Sequence, residues 1–247
     1  MSISAHQDVQ AHMRRPVRRP GPAVVCLIVI TAMIAAWPTL NAAPSFHAAR
    51  YRDGSLPPLP PPTVVAGGEV MLELTVTSDG AVRDVKTLRT TPPYTDAMIM
   101  AAKTWRFVPA EVESDPVAST PAKSVESSVL VVGIFRPPTF NTPTLGELPR
   151  DVGTESDGTP FPIATVAPLY PPRALGGGVV LIETAVDSMG RATQNRVIRS
   201  SPPFDEPALD SLRQWMFRPA RGRGTGTAAF AYVVFGFREP VTTRSVR

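Results

Sequence analysis

The sequence predicts an α+β protein of two small tandem domains, each a three-stranded antiparallel sheet packed with one long helix, behind an N-terminal apolar helix. Three observations predict this. The hexapeptides WRFVPA, from Trp105, and WMFRPA, from Trp215, share Trp, Phe, Pro and Ala at the same positions. Sliding the chain by 110 residues aligns 67–110 with 177–220 without a gap, and 14 of the 44 positions are identical. Within each copy the hydrophobic period changes from two to that of a helix, the mark of a strand pair followed by a helix.

At the N-terminus a basic tail, residues 1–22, contains Arg14, Arg15, Arg18 and Arg19 and precedes AVVCLIVITAMIAAW. Arginines before an apolar run favour a cytoplasmic tail and export of the rest of the chain. The run spans roughly 22 Å as a helix, against a hydrocarbon core of about 30 Å. Two readings therefore stand for residues 23–42: a single inner-membrane span with the repeats in the periplasm, or a cleaved signal releasing a soluble periplasmic protein. Residues 43–56 read as a linker.

The first domain is expected over 57–138. Val70, Leu72, Leu74 and Val76 alternate with Glu73, Thr75 and Thr77, as in a half-buried strand. SDG and, in the second copy, SMG read as tight turns, with Gly80 and Gly190 free to take positive φ. A second strand with a bulge comes next. Pro92-Pro93 and Pro202-Pro203 then read as stiff connections into the helix. Thr95 and Asp205 are candidate N-caps, and Met98, Ile99, Ala102 and Trp105, or Ala208, Leu209, Leu212 and Trp215, form the apolar stripe. SVLVVGIF and AFAYVVFGF close the copies as third strands. EVESDPVASTPAKS, before the first of them, is expected to be a surface loop. A Pro-rich linker over 139–166 separates the first domain from the second, 167–240, and a short tail, 241–247, ends the chain. Trp105, Phe107, Trp215, Phe217, Leu209 and Leu212 are the expected core.

Composition narrows function. Outside the N-terminal tail the charge is nearly balanced, so the pI near 9.6 is no footprint of nucleic-acid binding. The single cysteine, Cys26, can form neither an intramolecular disulfide nor a cysteine metal cluster. His6, His12 and His47 all precede the repeats, which removes a Ser-His hydrolase from the repeat region. Glu73 and Glu183, the acids retained by both copies, read as solvated sheet-face residues rather than a catalytic pair. RGRGTGT, from Arg221, lacks the Gly-Lys-Ser/Thr of a phosphate loop and reads as a basic surface loop. The expectation is a protein that is not an enzyme and carries no cofactor or metal.

PLYPPRALGGGVVLIETAVDSMG, RSSPPFDEPALDSLRQWMFRPA and the closing VVFGF resemble the C-terminal domain of TonB-type energy transducers. The first copy matches from Gly67 onward, with PLPPP where the second has PLYPP. The resemblance implies a short helix at the opening of the second copy. It also implies a periplasmic module that pairs with a peptide of an outer-membrane receptor by adding a strand to a sheet edge, and engagement of a proton-driven motor complex. The expected partner site is the last strand of the second copy, 229–237, with the preceding basic loop: Tyr170, Arg221, Arg223, Phe230, Tyr232 and Val234. The chain departs from the family in lacking a long Lys-Pro or Glu-Pro spacer. The alternative expectation is an envelope scaffold, whose copies pack together or form a homodimer, with no energy coupling.

Overall fold

The computed structural model describes residues 45–61, 63–113, 121–138, 158–220 and 229–241. The N-terminal tail, the apolar run, much of the Pro-rich linker, Arg221, Arg223 and the last six residues lie outside them. Among the described residues no helix is long and apolar enough to cross a membrane.

In chain order the strands are β1 (Ser45–His47), β2 (Arg50–Asp53), β3 (Gly68–Val76), β4 (Val82–Arg89), β5 (Arg106–Val108), β6 (Ala110–Glu113), β7 (Lys123–Val125) and β8 (Ser127–Phe135). They continue with β9 (Phe161–Ala164), β10 (Gly178–Val186), β11 (Ala192–Arg199), β12 (Met216–Arg218) and β13 (Ala229–Phe237). Helix α1 (Tyr94–Lys103) lies between β4 and β5, and α2 (Asp205–Leu212) between β11 and β12. The expected fold class is thereby corrected. The fold is mostly β, and six strands join in one sheet of order β11-β10-β13-β8-β3-β4.

The sheet is continuous because β13 pairs β10 antiparallel on one side and β8 parallel on the other. Neither third strand alternates; both are nearly unbroken apolar runs, the composition of strands buried on both faces. Alternate residues then feed two cores. Val70, Leu72, Leu74 and Val76 of β3 pack with Tyr94, Met98 and Ala102 of α1. Val180, Ile182 and Val186 of β10 pack with Ala208 and Leu212 of α2. Met71 joins the α2 core and Leu181 the α1 core, so the helices cover opposite faces. A palindromic strand order, a parallel central pair and swapped faces are the signature of a local two-fold along the strands between β8 and β13.

The expected long helices are short, ten residues in α1 and eight in α2. Trp105 and Trp215 fall just beyond their ends. Thr95 and Asp205 sit in the first helical turn instead of capping it. Their side chains accept the backbone N–H groups of Thr91 and Ser201, each 2.8 Å away, four residues upstream. The short helix expected at the opening of the second copy is absent; a turn from Pro171 to Ala174 takes its place.

Parts of both expected linkers are folded. Strand β2 pairs β5 and strand β9 pairs β12. The Trp105 indole donates to the Ser55 carbonyl at 2.8 Å and the Trp215 indole to the Val166 carbonyl at 2.9 Å. Each preceding segment is thus strapped over its half. The ends of the expected surface loop also form strands, with sheet order β1-β6-β7.

Gly80 and Gly190 show why the turns need glycine. Their φ values are +84° and +80°, and an added Cβ would lie 1.9 Å from the Phe107 carbonyl oxygen or 1.8 Å from that of Phe217. The strand pairs flanking both turns carry register shifts at matching places, after Met71 and Thr75 and after Leu181 and Ala185.

Candidate binding edge

A sheet accepts a foreign strand only where backbone N–H and C=O groups are unpaired. Strand β13, the expected edge, is therefore corrected: it is interior, and β8 fills the side that the second half would leave open alone. The ladder runs from Ala231 beside Leu130 to Gly236 beside Phe135.

The side chains assigned to binding on β13 are used internally. Val234 is fully buried among residues of the α1 core. Phe230 is half-buried beneath the Arg50 guanidinium, which lies 4.3 Å from its ring centroid. The Tyr232 hydroxyl accepts the Tyr51 backbone N–H at 2.8 Å and donates to Glu183 Oε2 at 2.9 Å. Burial, reinforced by the charge of Glu183, pushes the Tyr232 phenol well above its ordinary range. Tyr170 is buried as well, donating to the Gly176 carbonyl at 2.8 Å, with its ring centroid 5.7 Å from that of Phe204.

Trp105, Phe107, Trp215, Phe217 and Leu212 lie in the cores, and Leu209 packs against one as a partly buried neighbour.

Glu183 is not solvated; its side chain is 3% exposed. Arg50 from β2 grips it through Nε, 2.9 Å from Oε2, and Nη2, 2.5 Å from Oε1. Arg196 from β11 adds two contacts of 3.3 Å to Oε1. A buried carboxylate needs such partners, since its desolvation would otherwise cost several kcal/mol. The period-two pattern could not reveal this burial, because the covering strap comes from β2, far upstream in the chain. Glu73, at the matching place, is only half-buried.

The outer strands are β4 and β11, and among the described residues neither has a second strand partner. Their surroundings differ in charge. Around β11, Arg50 and Arg196 share one carboxylate, Glu183, and the Arg199 guanidinium is 3.4 Å from the neutral Gly54 carbonyl. Around β4, the cations Arg83, Lys86 and Arg89 are matched by Glu126, Glu73, Asp84 and Glu69, with Arg83 and Arg89 in ion pairs to Glu126 and Glu69. Arg199 carried a faint signal in the sequence as one of the identities between the repeats; Arg50, in an expected linker, carried none.

No curated protein matches the chain. Residues 166–238, the half that ends in β13 and exposes β11, match the family model described as Gram-negative bacterial TonB protein C-terminal.

Proposed function

We propose that the protein is a periplasmic TonB-like binding module that captures an extended segment of another envelope protein by strand addition. The observation that carries this reading is the open outer strand β11 within the half matching the TonB C-terminal model. That family is in general associated with outer-membrane receptors, and the receptor's N-terminal segment is the corresponding partner here. We read the first half as a divergent copy of the same module. The 14 identities and the matched element order support this. Residues 23–42 hold the protein at the inner membrane, with release as a soluble periplasmic protein as the alternative.

Titrating the full-length, isotope-labelled protein with short extended peptides tests the binding step. Capture at an edge shifts the amide resonances of β11 or β4 and slows their exchange with solvent. Peptides that perturb neither strand would sink the reading. In that event the envelope scaffold becomes the better account, which the fusion of both halves into one sheet already favours over energy transfer through β13.

A further inference from the structure

We infer that β11, and not β4, is the receiving edge, and that its partner is an acidic extended segment of another protein. The inference rests on the strand-addition reading and adds the edge and the chemistry of the partner. Three arginines gather around β11: Arg50 and Arg196 share the Glu183 carboxylate, and Arg199 Nη1 lies 3.4 Å from the Gly54 carbonyl. Arg50 and Arg196 keep 42% and 58% of their side chains exposed while touching Glu183. A strand docking beside Arg196 and Arg199 meets a net positive field, since the one carboxylate beside Arg196 is divided between it and Arg50. Beside β4 the same strand meets cations that already have carboxylates within the protein.

Charge on an edge strand is ordinarily protective, since it repels unselected strands. At β11 this protection doubles as selection. An apolar strand would desolvate the arginines without replacing water, a basic strand would be repelled, and an acidic strand would supply the missing partners. The same logic disfavours a second copy of this chain, whose β11 carries identical arginines. Between its two register shifts, β11 keeps regular pairing from Gln194 to Val197, opposite Ala185 to Ile182. Gln194 is exposed within that window, beside the half-exposed Arg196 side chain.

The test uses the full-length protein and two capped hexapeptides, one alternating valine with glutamate and the other valine with lysine. The glutamate peptide is expected to bind at least about tenfold more tightly, to weaken as salt rises, and to shift amides of β11. Arg199→Glu should reduce or reverse the preference, and Arg83→Glu on the other edge should leave it. If Arg199→Glu disturbs the fold, seen as lost amide dispersion, Gln194→Glu asks the same question from an exposed neutral position. Equal affinity for the two peptides, or shifts confined to β4, overturns the inference while leaving strand addition standing. Absence of binding by both peptides, with receptor-derived peptides also silent, overturns both.

Discussion

Glu69 shows how a single side chain couples the halves to pH. Its carboxylate, 3% exposed, stands 3.0 Å from Arg89 Nη1 on β4. It also accepts the Thr165 hydroxyl at 3.2 Å from the segment strapped over the second half. Burial raises its pKa above the ordinary 4.5, more than Arg89 and Thr165 pull it back. A carboxyl with a raised folded pKa binds its proton more tightly in the folded state. Its contribution to stability is therefore complete below 4.5 and is lost as pH rises through the folded value. Glu69→Gln removes this titration; it also takes the carboxylate from the buried Arg89 Nη1, a cost that does not change with pH in this window. Urea unfolding across a pH series should show the variant gaining on the wild type as pH rises through the window above 4.5. Parallel curves would mean that the carboxylate is not desolvated. Nothing in the local sequence marked this residue, because Thr165 is 96 positions away and the second copy has Val179 in its place.

At the scale of elements, the strand pairs, their turns and the existence of a helix in each half were legible because they rest on local signals: period two, a glycine between polar residues, and apolar spacing along a helix. The sheet order was not, because it depends on which edges meet. The unbroken apolar run of β13 was the available clue, since a strand meant to expose one face would alternate. Reading it as an edge placed the partner site on an interior strand. Proline substitution separates the two positions. Val233 pairs Ile182 on one side and Val132 on the other and is fully buried. Val233→Pro should cost about 3 kcal/mol or more, through a lost ladder bond and a ring forced between neighbours. Gln194→Pro on β11 should cost clearly less, because only one side of that strand is paired. Equal losses in chemical denaturation would show that β11 is not an edge in solution.

For the whole molecule, the central question is why a chain would fill an edge that a lone module leaves open. A three-stranded sheet with one helix covers only one of its faces. In the second half the uncovered face includes Leu181, Tyr232 and Val234, all fully buried here by the strap and core of the first half. The Tyr51 ring from that strap lies 5.1 Å from Trp105 and 6.2 Å from Tyr232, tying the first core to the second sheet. Exposing Leu181 and Val234 would forfeit about 1.5–3 kcal/mol each, and the β13 ladder would be lost as well. Stability so shared makes the two halves one folding unit, and a fragment of residues 158–241 should self-associate through β13 in sedimentation experiments. Supplied with a fragment of residues 45–138, it should instead form a one-to-one complex, and the intact chain should unfold in a single transition. A monomeric, cooperatively folding 158–241 fragment would separate the halves energetically. It would also leave β13 open to a partner, returning the binding site to the strand that the family resemblance favours.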